Sequence, residues 1–325
     1  MLKIKRISHV GLTVPDVEAC VEFYEHIVGL EVSARVDGAV FLRCSEDHHC
    51  LGLYPGETRG LHHLGLEVHD QETLQVAHEE LLQLGVTPEA REYVEPGHGE
   101  ARCYRDPDGH LVELFSGMEN ITDPLQPREV RPLRFGHLTR LTPDTPRAVE
   151  FYAGKLGFRI SDTVGGAVAW LRCNQEHHGL AYLGTDRAKV NHYAYDLSGW
   201  EDLKRLCDHV WRNDVPIIYG PSRHGPGHNL FIYIPDPAGN ILEMTTEMDQ
   251  IWDEESYQPL DWPNTPKTVD VWRALNQPDH MLAGDGRDPN DWSAGSSVIG
   301  QGWYVPEFEE FVAMDPTANV IAPTA

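Results

Sequence analysis

The sequence predicts an α+β protein of two tandem domains, each made of two strand–helix–strands modules, followed by a tail outside the repeat. Three observations predict it. First, the chain repeats itself: Ile7-Ser-His9-Val-Gly-Leu-Thr-Val-Pro-Asp16 matches Phe135-Gly-His137-Leu-Thr-Arg-Leu-Thr-Pro-Asp144, and Asp106-Pro-Asp-Gly-His-Leu-Val-Glu113 matches Asp236-Pro-Ala-Gly-Asn-Ile-Leu-Glu243. The offset grows from 128 (His9 to His137) through 129 (His63 to His192) to 130 (Glu113 to Glu243), as a duplication with two small insertions requires. Second, each copy contains a strand, a helix and further strands twice over. Third, the 325 residues are 41% hydrophobic and 24% charged, a globular composition long enough for two ordinary cores.

In chain order, Asp16 and Asp144 follow prolines and are placed to cap helices, whose patterns recur as Val21-Glu-Phe-Tyr24 and Val149-Glu-Phe-Tyr152. Gly38-Ala-Val-Phe-Leu-Arg-Cys44 matches Gly166-Ala-Val-Ala-Trp-Leu-Arg-Cys173 as the next strand. Leu74, Val76, Ala77, Leu81 and Leu82 give residues 72–84 an amphipathic helical spacing. The first domain is expected over residues 1–117, a Pro-containing linker over 118–132, the second domain over 133–248 and the tail over 249–325. The tail's Trp252, Trp262, Trp272 and Trp292 suggest that it packs on something, as a lid over the second domain or an oligomer contact.

The formal charge of −25 argues against nucleic acid and anionic membrane as partners, since both need basic patches. No apolar run reaches membrane-spanning length. The N-terminus enters a strand-like pattern directly, without the apolar stretch of a secretion signal, so a cytoplasmic location is expected. Six cysteines without CxxC pairing read as reduced thiols.

The chemistry gathers in the second domain. Glu243 stands between Leu242 and Met244 in a strand, and a carboxylate in apolar company needs a positive partner. That partner is a metal ion or a salt bridge, unless the residue lies exposed on an edge strand. His137 and His192 also sit in strands among apolar residues. Two imidazoles and one carboxylate make the facial triad suited to Fe(II), with coordination positions left open. Three unrelated strand residues are the bland alternative.

The residues around this triad resemble those of type I extradiol ring-cleavage dioxygenases of the vicinal oxygen chelate superfamily. The family's pattern of a His, an apolar–Tyr pair, Asp-Pro-x-Gly and Glu runs here as His224, Ile232-Tyr233, Asp236-Pro-Ala-Gly239 and Glu243. Ser222 departs from it at the first position. The resemblance covers residues 1 to about 248 and is specific in the second domain. It implies that each domain forms a curved, mostly antiparallel open barrel of two βαβββ modules. It implies His137, His192 and Glu243 as metal ligands, Fe(II) as the ion with Mn(II) accepted by the same donors, and a catechol with O₂ as substrates. His178 matches the family's acid/base, with His177 its neighbour. His224 and Tyr233 match residues that hydrogen-bond the bound catecholate. Trp170, Tyr219 and Thr139 fall in the substrate pocket. A homo-oligomer, dimer or tetramer, goes with the family.

The first domain keeps His9, His63 and Glu113 at the ligand positions and His49 opposite His178, but sets Cys103 opposite Tyr233 and Val94 opposite His224. The sequence therefore predicts ligand types without the residues that would hydrogen-bond a catecholate, and a catalytically silent domain, with a second metal on His9, His63 and Glu113 as the lesser alternative. A neutral, alkyl- or aryl-substituted catechol is expected because Tyr219 stands where relatives of carboxylated substrates tend to carry an arginine, although Arg223, Arg273 and Arg287 could supply a cation. Other chemistry on the same fold remains open: a glyoxalase-like or fosfomycin-resistance-like enzyme, or a metal-free binding protein of the bleomycin-resistance type.

Overall fold

The computed structural model describes residues 2–90, 93, 95–272, 297–299 and 303–305. Two open, mixed sheets carry the fold. The first holds β1 (Ile4–Val14), β2 (Glu31–Val36), β3 (Ala39–Arg43), β4 (Leu51–Pro55), β5 (Gly60–Val68), β6 (Ala101–Arg105) and β7 (Leu111–Ser116) in the order β2-β3-β4-β1-β5-β7-β6. The second holds β8 (Arg134–Thr142), β9 (Arg159–Val164), β10 (Val168–Arg172), β11 (Leu180–Gly184), β12 (Lys189–Asp196), β13 (Tyr219–Arg223), β14 (Leu230–Pro235) and β15 (Ile241–Thr246). Its order is β13-β14-β15-β12-β8-β11-β10-β9, and β16 (Leu260–Asp261) from the tail joins β9 at the edge.

Both orders follow one plan. The first strands of the two modules, β1 with β5 and β8 with β12, pair antiparallel at the centre. Each then meets the last strand of its own module in parallel, as β1 with β4 and β12 with β15. Most other pairings are antiparallel, and neither sheet closes into a barrel. One module departs from βαβββ. Among the described residues of the first domain only β6 and β7 follow the second helix, and Glu89 makes an isolated bridge to Cys103.

Among the described residues the α-helices are α1 (Val17–Phe23), α2 (Gln71–Gln83), α3 (Thr145–Val149), α4 (Trp200–Arg212) and α5 (Pro266–Val269), and α1 and α3 run on into π-helical turns at Tyr24–Val28 and Glu150–Lys155. Asp16 and Asp144 cap α1 and α3 by accepting from the amides of Ala19 and Arg147. On α2, Leu74, Ala77 and Leu81 face the core, while Val76 and Leu82 are exposed. The sheet offers α2 only a narrow stripe to cover, less than the apolar pattern suggested.

One apolar core runs through both domains, from Val10, Leu12 and Leu64 to Leu138, Leu180 and Ile232. The two Asp-Pro-x-Gly turns fasten it. Asp106 of the first domain accepts from Arg140 at 2.5 Å and from the Tyr152 hydroxyl at 3.0 Å, both in the second domain. Asp236 of the second domain accepts from the Tyr24 hydroxyl of the first at 3.0 Å. All three partners and both aspartates are buried, so each turn's carboxyl draws part of its hydrogen bonding from the other domain.

The tail adds β16, α5 and a hairpin of β17 (Ser297–Ile299) with β18 (Trp303–Val305). Trp262 packs on the second sheet, whereas Trp252 is exposed. Trp292, Arg273 and Arg287 lie outside the described residues. No helix among the described residues is long and apolar enough to cross a membrane. All six cysteines are free thiols.

Candidate metal centre

Strand register decides which side chains meet. Across the second sheet Tyr219 opposes Tyr233, Tyr233 opposes Glu243, Glu243 opposes Ala194 and Ala194 opposes His137. Directly opposed residues share a face, so these five form one row over β13, β14, β15, β12 and β8. Two residues along β12 and β8, and therefore on the same face, a second row runs His192, Thr139, Ala181 and Trp170. His178, from the turn between β10 and β11, and His224, at the end of β13, close over these rows. One cavity is lined by all nine residues singled out in the sequence: His137, His192, Glu243, His178, His224, Tyr233, Trp170, Tyr219 and Thr139.

His137 Nε2 lies 2.9 Å and His192 Nε2 3.1 Å from Glu243 Oε2. Adjacent donors bound to one ion at about 2.1 Å each stand roughly 3 Å apart. The three groups are buried, and their chemistry suits a divalent cation. Burial pushes the Glu243 carboxyl up, but His137 and His192 outweigh it and hold it well below the usual carboxylate range. Burial pushes the His192 imidazole down to about 4, leaving a neutral ring with a lone pair to donate. Two of the three candidate donors, His192 and Glu243, are themselves oriented by asparagines. His192 Nδ1 donates to Asn191 Oδ1 at 2.7 Å, which directs Nε2 inward. Asn229 Nδ2 donates to Glu243 Oε1 at 3.1 Å and to Thr245 Oγ1 at 2.7 Å.

The two adjacent histidines separate cleanly. His178 lines the cavity with its ring 4.7 Å from that of His137. His177 turns the other way and donates from Nε2 to Asp162 Oδ2 at 3.0 Å. With that proton on Nε2, His177 Nδ1 accepts from His178 Nδ1 at 3.0 Å, and His178 Nε2 is left as an acceptor. Asp162 also accepts from the Trp262 indole at 2.6 Å and the Leu260 amide at 2.8 Å, so the tail fixes the far end of this chain. Burial, with His137 and His177 nearby, pushes the His178 imidazole well below its usual value. It rests neutral instead of poised near neutrality.

His224 Nδ1 donates to the Val269 carbonyl at 2.5 Å, and its Nε2 faces the Tyr233 hydroxyl at 3.1 Å. Burial and the nearby Glu243 push the Tyr233 phenol well above its usual value, so it stays a donor. The departure at Ser222 is absorbed by the tail: its hydroxyl donates to Asp270 at 2.5 Å. Thr268 and Val269 complete the cavity wall. Gly225 permits this approach, because a Cβ there would lie 2.6 Å from the Thr268 carbonyl oxygen.

In the first domain the corresponding row is Cys103, Glu113, Gly65 and His9. Cys103 does oppose the glutamate, as the alignment implied, and Val94 lies outside the described residues. Glu113 draws its partners from elsewhere. The Tyr93 hydroxyl donates to Glu113 at 2.5 Å and His98 Nε2 lies 2.9 Å from it, both arriving from the loop before β6. Glu113 does not join His9 and His63; Glu95 does, at 3.1 and 3.0 Å.

The residues missed in sequence were Glu95, Asn191, Asn229, Asp162 and the Thr268–Val269 segment. Asn191 and Asn229 carried a weak signal as polar neighbours of ligand strands. The others are brought in from a distance.

The Glyoxalase/Bleomycin resistance protein/Dioxygenase superfamily model matches residues 6–114 and 134–244. The chain is 28% identical to a metapyrocatechase of Pseudomonas sp. (strain CF600), covering 86% of this chain and 96% of that one. It is 26% identical to a manganese-dependent 2,3-dihydroxybiphenyl 1,2-dioxygenase of Geobacillus genomosp. 3, over 80% and 90% of the two chains. It superposes on the Mn(II)-bound glyoxalase from Novosphingobium aromaticivorans with a TM-score of 0.78 and 25% identity, over 84% and 92%.

Proposed function

Because the chain belongs to the glyoxalase/bleomycin resistance protein/dioxygenase superfamily, we propose that its second domain performs extradiol (meta) cleavage of a catechol by O₂. Both oxygen atoms enter the product as the ring bond beside the diol opens. The observation that carries this reading is the convergence of the His137–His192–Glu243 triad with His178, His224 and Tyr233 on one cavity. The two named dioxygenases among the relatives support it.

His137, His192 and Glu243 would hold Fe(II), with Mn(II) accepted by the same donors. When bound, the ion supplies a Lewis acid that favours the catecholate over the catechol and a centre at which diol and O₂ are held together. The remaining work belongs to the protein. His178 presents a neutral Nε2 to the cavity, so it can accept a hydroxyl proton from the substrate and return it during ring opening. Tyr233, kept protonated, offers a hydrogen bond where charge develops on a substrate oxygen. His224, anchored on Val269, steadies that hydroxyl. Trp170, Leu183, Tyr219, Pro226 and Val269 shield the site from water.

The substrate is an uncharged, alkyl- or aryl-substituted catechol. No arginine or lysine is among the described residues lining the cavity, and Arg223 is paired with Glu247 at 3.0 Å. A cytoplasmic homo-oligomer, dimer or tetramer, belongs to the same reading. Exposed Trp211 and Trp252 support further contacts.

Oxygen uptake by Fe(II)-loaded protein, with absorbance followed in parallel, tests the proposal. Catechol, 3-methylcatechol and 2,3-dihydroxybiphenyl should consume oxygen and give a yellow product, and a carboxylated catechol should react least. No uptake with any diol would move the assignment to the second reading, a glyoxalase-like isomerase, which the superposition on a glyoxalase favours.

A further inference from the structure

We propose that the first domain holds its own divalent cation, in a closed site made by His9, His63 and Glu95. Three donor atoms converge there. His9 Nε2 and His63 Nε2 are 3.1 Å apart, and they lie 3.1 and 3.0 Å from the two oxygens of Glu95. Edges of about 3 Å suit donors bound at about 2.1 Å around one divalent ion, with the Glu95 carboxylate turning one oxygen to each histidine where Glu243 turns Oε2 to both. All three side chains are fully buried. His9 Nδ1 has no hydrogen-bond partner. His63 Nδ1 faces His62 Nδ1 at 2.8 Å, which turns Nε2 toward the cluster.

The sheet has been altered to seat this cluster. Opposite His63 stand Gly11, then Gly52 and Phe41, where the second domain has Thr139, Ala181 and Trp170 opposite His192. A Cβ on Gly11 would lie 2.5 Å from the His63 ring, and one on Gly65 would lie 2.1 Å from the His9 ring. The glycines let both imidazoles sink onto the sheet. Counting back from the shared glutamates, Glu95 occupies the position of Gly225. Where the second domain leaves space and covers it with the tail, the first inserts a carboxylate.

That carboxylate brings a second charge into a place that already holds buried Glu113. His98 Nε2 lies 2.9 Å from Glu113 and 3.9 Å from Glu95, so this one imidazole can offset only one of the two carboxylates, and a divalent cation on His9 and His63 offsets the other, whose burial would be costly. The site is closed. Tyr93 stacks over His63 with ring centroids 5.0 Å apart, and His49 Nε2 lies 2.9 Å from Glu95 Oε1. With Glu95 where a substrate would enter and Tyr93 above, the positions that three donors leave on the ion are walled off from a diol, which gives the ion a structural role.

Elemental analysis of the purified full-length chain by mass spectrometry decides it. The wild type should carry two transition-metal ions per chain. His137→Ala/Glu243→Gln should keep one, and Glu95→Gln should keep the other while retaining its circular dichroism spectrum. One ion in the wild type and none in His137→Ala/Glu243→Gln would overturn the proposal, leaving His9, His63 and Glu95 as a hydrogen-bonded cluster. Should Glu95→Gln fail to fold, the second-domain variant still decides. The count is independent of ring cleavage, so oxygen uptake and ion number can fail separately.

Discussion

The two domains share most of their strands and keep two histidines and a glutamate at matching positions, yet build opposite kinds of site around them. In the second, His137, His192 and Glu243 border a cavity, and the tail supplies its outer wall through Thr268 and Val269. In the first, Glu95 and Tyr93 fill the corresponding space, and the histidines rest against glycines. Duplication preserves ligand types easily, because they lie in strands whose period holds them on one face. What separates an open site from a closed one is decided off the strands, in one loop residue (Glu95 against Gly225) and in what covers it. Shared ligands are therefore weak evidence of shared chemistry; access is the better guide.

The largest test breaks the comparison outright. His137→Ala or Glu243→Gln should lower ring cleavage below detection and remove the second domain's ion, read by oxygen uptake and metal content together. Retained activity would place the chemistry in the first domain. Next in size is the pair His178 and His49, which sit alike, 4.7 and 4.6 Å from the rings of His137 and His9. His178→Ala should keep metal and catechol binding while kcat falls about 10²–10⁴-fold, the usual loss of a general acid–base group. His49→Ala should leave turnover unchanged in folded protein. Equal losses would mean that the first domain is not silent.

Much of this contrast was legible in the sequence, and the part that was not has a physical reason. His137, His192 and Glu243 stood out because a strand buried in apolar surroundings makes a polar residue conspicuous, and the repeat showed each twice. The caps Asp16 and Asp144 were legible because capping is local. Glu95 was not, since its counterpart is a glycine and no pattern marks a loop that folds inward. Asp106 and Asp236 read as turn residues, yet they also fasten one domain to the other. That second role depends on tertiary contacts with Arg140, Tyr152 and Tyr24. The reach of residues 257–270 back across the second sheet has the same character: the tryptophans announced packing but not its place.

A smaller effect tests how the second domain aims its histidine. Asp162 orients His177, which orients His178, and the first domain has Ala34 at the matching position although His48 and His49 repeat the same 3.0 Å contact. Asp162→Asn keeps the shape but offers one acceptor oxygen in place of two to His177, Trp262 and Leu260. We expect kcat to drop about tenfold, at the low end for a residue that orients a functional group, with KM and metal content little changed. A change in KM alone would show that Asp162 shapes the pocket and does not position His178.

The smallest expected effect concerns the tail segment that walls the cavity. Gly225 donates its amide to the Thr268 carbonyl at 2.9 Å, and a Cβ at residue 225 would lie 2.6 Å from that same oxygen and 3.0 Å from the Trp262 ring. Backbone cannot yield as a flexible side chain can, so Gly225→Ala must push the 268–269 segment outward, at a cost of about 1–3 kcal/mol for overpacking. Displacing Val269 also loosens the carbonyl that anchors His224 Nδ1. KM for the catechol should therefore rise several-fold, with a melting temperature a few degrees lower and the metal still in place. The loss should be greatest for 2,3-dihydroxybiphenyl, whose second ring reaches furthest toward the cavity wall. Equal losses for all catechols would mean that residues 268–269 act through His224 alone and that wall contacts contribute little to substrate choice.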